Sequence, residues 1–336
     1  MTHQPFGRLF VTPVLPFTHD GAIDEPAFRN FLRGFLTEEY LEAGIALIAN
    51  PEAGELFYLD RDERRLVLSI VMEEVAGRAP VVAGVVDVTT AGFVQCAKDA
   101  AEAGADGLFV FPPVGAQDVT SCWNADMYPE VFVDILQAIA AEVDLPMIIH
   151  PVAQMSPGYG VGLTSAVTRT ILREVPNVVG WKMTYNYDGY RTITDVIRAE
   201  DRPIEVLGAV AKYFHENLLN GAMDGTSSGA WNYALEPMMA HIQAWRAGDV
   251  EQATKIWEGG LRQLQSYVFS DFGRLHVRYK AAVWLRGLIP SPEMRAPMPK
   301  PRRSEVADLV VKLRDAGLDV IDDAAIEAEL DRLQAR

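Results

Sequence analysis

At 336 residues and 49% hydrophobic by composition, the chain has enough apolar material for one large α/β domain or two ordinary ones. Its formal charge of −16 repels phosphate backbones and anionic lipid heads alike. Nucleic-acid and membrane-surface roles are thereby excluded, and a small molecule is the expected partner.

Eight short β-branched runs alternate with amphipathic helical patterns, the signature of βα units around a parallel sheet. The strand candidates, in chain order, are RLFVTPVLPF from Arg8, GIALIAN from Gly44, PVVAGVV from Pro80, GLFVFPP from Gly107, PMIIHPV from Pro146, VVGWKMT from Val178, IEVLGA from Ile204 and DGTSSG from Asp224. The last is weak by composition. Between them lie stretches such as DRDERRLVLSIVMEEV and TTAGFVQCAKDAAEAG, opened by Asp or Thr and, in the second, closed by Gly104. Eight repeats with near-continuous apolar strands predict a (β/α)8 TIM barrel rather than an open doubly wound sheet. No GxGxxG follows the first strand, which removes the main support for a dinucleotide site.

After about Gly248 the pattern turns to helices without strands, interrupted by PSPEMRAPMPKP. The expected organisation is a barrel catalytic domain over 1–248 and a C-terminal helical extension over 249–336, packed on it. Cys96 and Cys122 lack CxxC spacing and form no disulfide framework. Neither a basic leader nor a run of roughly 20 apolar residues is evident, so a cytoplasmic location is expected. The six histidines show no HxH or HExxH spacing, and no metal is assigned.

In a (β/α)8 barrel the reacting groups sit at the carboxyl ends of the strands. Lys182 ends the sixth apolar run, in VVGWKMT. An apolar setting lowers an amine's pKa and frees its lone pair for attack on a carbonyl, the chemistry of a Schiff base. The alternative is a lysine whose stem packs in the barrel while its head reaches water or a carboxylate.

The arrangement resembles the dihydrodipicolinate synthase/N-acetylneuraminate lyase family of class I aldolases, whose imine-forming lysine stands in a VVGxK context; here the match is VVGWK, Val178 to Lys182. RLFVTPVLPFTHDGAIDEPAF, ANPEAGELFYLDRDER, AGADGLFVFPP and YKAAVWLRGL with RAPMPKP also fall in the family's order, from about Arg8 to Pro301. The resemblance implies a barrel with a helical extension, a 2-keto acid such as pyruvate held as an imine without metal or organic cofactor, and a homo-oligomer, often a homotetramer.

Four departures mark a divergent member. PEAGE, Pro51 to Glu55, stands where the family carries GTTGE, so Glu52 and Ala53 replace two hydroxyl residues. Glu52 is then an acid/base group, an indication of a different substrate, or a solvated loop charge. His150 stands in the register of the family's proton-moving tyrosine, and imidazole suits that task near neutral pH. No arginine follows it in PVAQMSPGYG, and LGAVAKYFHE lacks the acidic pair of the sialic-acid lyases, which puts both reactions in doubt.

The catalytic candidates are Lys182, His150 and Glu52. The substrate-binding candidates are Ala53, Gly54, Thr226, Ser227 and Gly208, and Trp123, Tyr185, Tyr187 and Trp231 are candidates for an aromatic pocket wall. The reading is a Schiff-base lyase, whether aldolase, hydratase-aldolase or dehydratase. Its rivals are an altered barrel that binds a small ligand or partner without imine chemistry, and a phosphate-dependent isomerase.

Overall fold

A computed structural model describes residues 3–113, 117–118, 121–122, 124–153 and 155–334. Eight parallel strands, one in each of the runs expected from sequence, close into a barrel: β1 (Leu9–Val11), β2 (Ile45–Ala49), β3 (Val81–Val85), β4 (Gly107–Val110), β5 (Met147–Ile149), β6 (Val178–Met183), β7 (Glu205–Gly208) and β8 (Gly225–Ser228). Each strand pairs with its sequence neighbours and β8 closes on β1. The strands are shorter than the apolar runs because proline has no N–H to give a ladder: Pro13, Pro112 and Pro151 follow β1, β4 and β5 within three residues. DGTSSG, weak by propensity, forms β8 with all four strand residues buried. Burial against both neighbours outweighs intrinsic preference there.

The chain divides into two compact units. The first comprises Met1–Phe10, Gly44–Pro51 and Arg61–Ser228. Its helices start and stop where the side chains dictate. Thr89 Oγ1 accepts the Gly92 N–H at 3.0 Å and Asn186 Oδ1 accepts the Gly189 N–H at 2.7 Å, each satisfying a first-turn donor. Gly104, at φ 81°, turns the chain out of the helix Thr90–Glu102.

Pleat and register assign the two faces of the sheet. Trp181 donates its indole N–H to Tyr185 Oη at 3.0 Å, which turns it to the helix side of the sheet; Val110, Phe111, Ile149 and His150 all border an apolar cavity with Phe132 and Ile135 of the helix Glu130–Glu142. Alternation therefore turns Phe109, Ile148, Gly180, Lys182 and Leu207 to the barrel interior. Gly180 occupies a crowded level of that interior, where an added Cβ would lie 3.1 Å from Ile148 Cγ1 and 3.2 Å from Leu207 Cδ1.

At the amino end of β7, Glu205 is 4% exposed and accepts the N–H groups of Phe6 at 3.1 Å and Gly7 at 2.5 Å. Burial, with a smaller contribution from Asp224, pushes its carboxyl up to about 7 against the lowering effect of those bonds. The folded protein thus holds this proton through a range in which the unfolded chain releases it. The contribution of Glu205 to stability is expected to be complete below the unfolded value, to fall as pH rises to about 7, and then to level off. The loss is on the order of 3 kcal/mol. Melting temperatures across this range should show the slope in the native protein, and Glu205→Gln, which mimics the protonated acid, should flatten it.

The second unit comprises Val11–Ala43, Glu52–Asp60 and Gly229–Arg336. Asn232 fastens its first segment: Oδ1 accepts the Val14 N–H at 3.0 Å, and Nδ2 donates to Thr12 O at 2.9 Å and Gly229 O at 2.7 Å. The run from Asp249 forms helices Val250–Ile256 and Arg262–Val268 around a widened turn at Trp257–Leu261. Gly260 there has φ 113°, and a Cβ would sit 2.3 Å from Asp315 O, so only glycine fits this approach to the helix Arg303–Asp315. In the proline-rich stretch, Arg295 Nη2 donates to Gly21 O at 2.6 Å and its backbone N–H to Glu55 Oε2 at 2.8 Å.

Candidate active site

Lys182 is the penultimate residue of β6, on its inner face, and is 4% exposed. Its neighbours follow from register. Trp181 pairs with Ile149 and Ile149 with Val110, so the next positions along the strands, Lys182, His150 and Phe111, share one level at the carboxyl end. Lys182 Nζ lies 5.3 Å from the centroid of the Phe109 ring. His150 stacks on Phe111 with centroids 4.7 Å apart and meets the edge of Phe109 at 5.4 Å. Its backbone N–H donates to Val110 O at 2.9 Å, which holds the residue in strand register beyond the last residue of β5. Amine and imidazole are thus set among aromatic rings, where little water competes for the lone pair of an amine.

The same alternation sorts the residues of β7 and β8. Lys182 pairs with Leu207 and Leu207 with Gly225, which places Ser227, two residues further, on the inner face with the lysine. Thr226 and Gly208 pair with one another on the opposite face. A Cβ on Gly208 would lie 2.5 Å from Met223 Sδ and 3.0 Å from Phe214 Cε1, so that side is filled. Ser228 Oγ, also on the outer face, donates to Ala209 O at 2.8 Å.

Glu52, Ala53 and Gly54 form a single 3-10 turn in the second unit. The Glu55 N–H closes it on Glu52 O at 2.9 Å, and Glu55 itself stands in the left-handed region at φ 60°. Both Glu55 oxygens are taken, one by Lys280 Nζ and the other by the Arg295 N–H. Lys280 also donates to Glu293 O at 3.0 Å and lies 4.4 Å from the Phe17 ring centroid. The preceding residue on the same helix, Tyr279, has its phenol pushed well up by burial, with Tyr233 and Glu52 adding in the same direction.

Of the aromatic candidates, Tyr185 is buried on the helix side and bonded to Trp181, Trp231 is fully buried in the second unit, and Tyr187 is exposed. Trp123 lies outside the described residues. Phe109 is a ring beside the lysine, and Phe111 stacks on His150. Gly180 pairs with Ile148 and Ile148 with Phe109, so the face of Phe109 follows once the register is known.

The Dihydrodipicolinate synthetase family, as a sequence profile, matches residues 5–316. The chain belongs to this family. Among its relatives is YagE of Escherichia coli (strain K12), provisionally named a 2-dehydro-3-deoxy-D-gluconate aldolase, 25% identical over 93% of this chain and 99% of YagE. A 4-hydroxy-tetrahydrodipicolinate synthase of Oleidesulfovibrio alaskensis (strain ATCC BAA-1058 / DSM 17464 / G20) is 30% identical over 86% of this chain and 91% of its own length. The solved structure of YagE in complex with pyruvate shares the fold, with a TM-score of 0.75 at 22% identity over 93% and 98% of the two chains. As a member of the dihydrodipicolinate synthetase family, the chain is a lyase. Among the described residues no helix is long and apolar enough to cross a membrane.

Proposed function

We propose that this dihydrodipicolinate synthetase family member is a class I lyase in which Lys182 forms an imine with a 2-keto acid and His150 moves the protons. The observation that supports this most is the placement of a buried amine on the inner face, at the carboxyl end of β6, level with a buried imidazole on the adjacent strand. The amine attacks C-2, the carbinolamine loses water, and the resulting iminium acidifies C-3. From there either the C-3 to C-4 bond breaks as the C-4 hydroxyl gives up its proton, or the C-3 proton leaves and hydroxide departs from C-4. Each path needs one group that takes and returns a proton, which is the role of His150. Water then hydrolyses the iminium and frees the amine.

Glu52 is proposed as an assisting acid or base, and the amides of Ala53 and Gly54 with the backbone at Gly208 and Thr226 as substrate contacts. The reacting groups are placed in the barrel region 1–248, with 249–336 as a supporting extension. A pyruvate-like 2-keto acid, a cytoplasmic setting and a homo-oligomeric state, dimer or tetramer, complete the reading, on the strength of the family resemblance and the cysteine usage.

Incubation with a panel of 2-keto acids and borohydride, followed by intact mass measurement, tests it: a reduced adduct on one lysine is expected, and none across the panel would sink the reading. His150→Phe keeps a planar ring against Phe111 but has no ionisable nitrogen. Trapping should survive in this variant while turnover falls by about 10²- to 10⁴-fold. Unchanged turnover would remove His150 from the mechanism.

A further inference from the structure

A 2-keto acid bound as an imine has two arms at C-2, the reacting chain and a carboxylate, and the carboxylate needs a donor of its own. Ser227 is fully buried, on the inner face, at the carboxyl end of β8, and its Oγ meets no hydrogen-bond partner among the described residues. Leaving a buried hydroxyl unsatisfied is costly, and natural cores rarely do so without a use for it. Two neighbouring donors are already committed. Ser228 Oγ is committed to Ala209 O on the outer face, and Asn50, just past β2, spends its amide on Arg64 O at 2.8 Å.

Position then selects the arm. His150 extends β5, the strand on one side of β6; Ser227 lies beyond β7 on the other side, two residues past the level that Lys182 shares with Leu207 and Gly225. With strands roughly 4.8 Å apart and a rise of about 3.3 Å per residue, Lys182 has His150 on one flank and Ser227 on the other and nearer the mouth. If His150 serves the reacting chain, the carboxylate is left to the side of β8.

We propose that the Ser227 hydroxyl donates to the C-1 carboxylate of the 2-keto acid held on Lys182, and so selects a free acid over its ester. This rests on the imine reading above. It also assigns the carboxylate to the eighth strand, in a chain whose PEAGE turn offers no hydroxyl side chain.

The test measures the concentration of pyruvate, and separately of methyl pyruvate, that gives half-maximal borohydride trapping. Wild type should favour pyruvate. Ser227→Ala should raise the half-maximal pyruvate concentration about ten- to a hundred-fold, leave that of methyl pyruvate unchanged, and reach the same adduct yield at saturation. Ser227→Cys, of similar size but a weak donor, should lose most of the same preference. Because the hydroxyl has no partner among the described residues, the alanine variant should melt no lower than wild type. Equal losses for acid and ester, or an unchanged pyruvate value in either folded variant, would overturn the assignment to the carboxylate while leaving the imine intact. An absence of adduct in wild type overturns the imine reading itself, and this inference with it.

Discussion

Lys182→Ala is expected to abolish the borohydride adduct with every 2-keto acid and to lower turnover by about four to six orders of magnitude. The size follows from what the residue supplies. Without an imine, C-3 of a keto acid is a far weaker acid, and among the described residues the strand positions level with Lys182 on either side, His150 and Leu207, carry no amine. Lys182→Arg should fail in the same way, because a guanidinium stays protonated and has no lone pair to offer. Circular dichroism and melting temperature separate loss of chemistry from loss of fold. The alanine variant removes a buried amine from a site lined by Phe109, so it should melt at or above the wild-type temperature. An adduct that persists in Lys182→Ala would move the imine to another lysine.

The architecture was legible because a βα repeat writes itself into composition: runs such as IALIA and VVAGV are buried on both faces and read as continuous apolar stretches. The strand-end position of Lys182 was legible for the same reason, since the run stops there. Which neighbours share its face was not. Thr226, Ser227 and Ser228 are equivalent hydroxyl residues on paper, and only the pairing of Leu207 with Gly225 turns Ser227 inward and the other two outward. A one-residue change of register would exchange them, and no local propensity specifies that register. Tyr185 was a reasonable pocket candidate by its position just after β6, yet the outward Trp181 takes its hydroxyl. The work of Asn232 is long-range, joining Val14 to a helix 218 residues later.

Lys280→Met is expected to destabilise the protein by about 3–5 kcal/mol, because it strands the Glu55 carboxylate in a site where both side chains are 1% exposed. Glu55→Gln should cost a comparable amount, leaving the ammonium with Glu293 O and the face of Phe17 as its remaining partners. The double variant should recover most of the loss, since two neutral side chains need no mutual compensation for lost hydration. Denaturant titrations on the four proteins give the coupling energy; additive losses would mean that the pair is no energetic unit. The pairing also bears on function through local geometry. Glu55 is held at φ 60°, outside the range a non-glycine residue prefers, and its N–H closes the Glu52–Gly54 turn. Its side chain is gripped from the helix Leu275–Leu285 and from the Arg295 backbone, two anchors more than 200 residues away in sequence. A turn held in an unfavourable conformation relaxes when the anchor goes, so the double variant separates stability from shape. Recovered stability with a weaker half-maximal keto acid concentration in trapping would tie the turn's amides to substrate. Recovered stability with unchanged trapping would confine Lys280 and Glu55 to holding the fold.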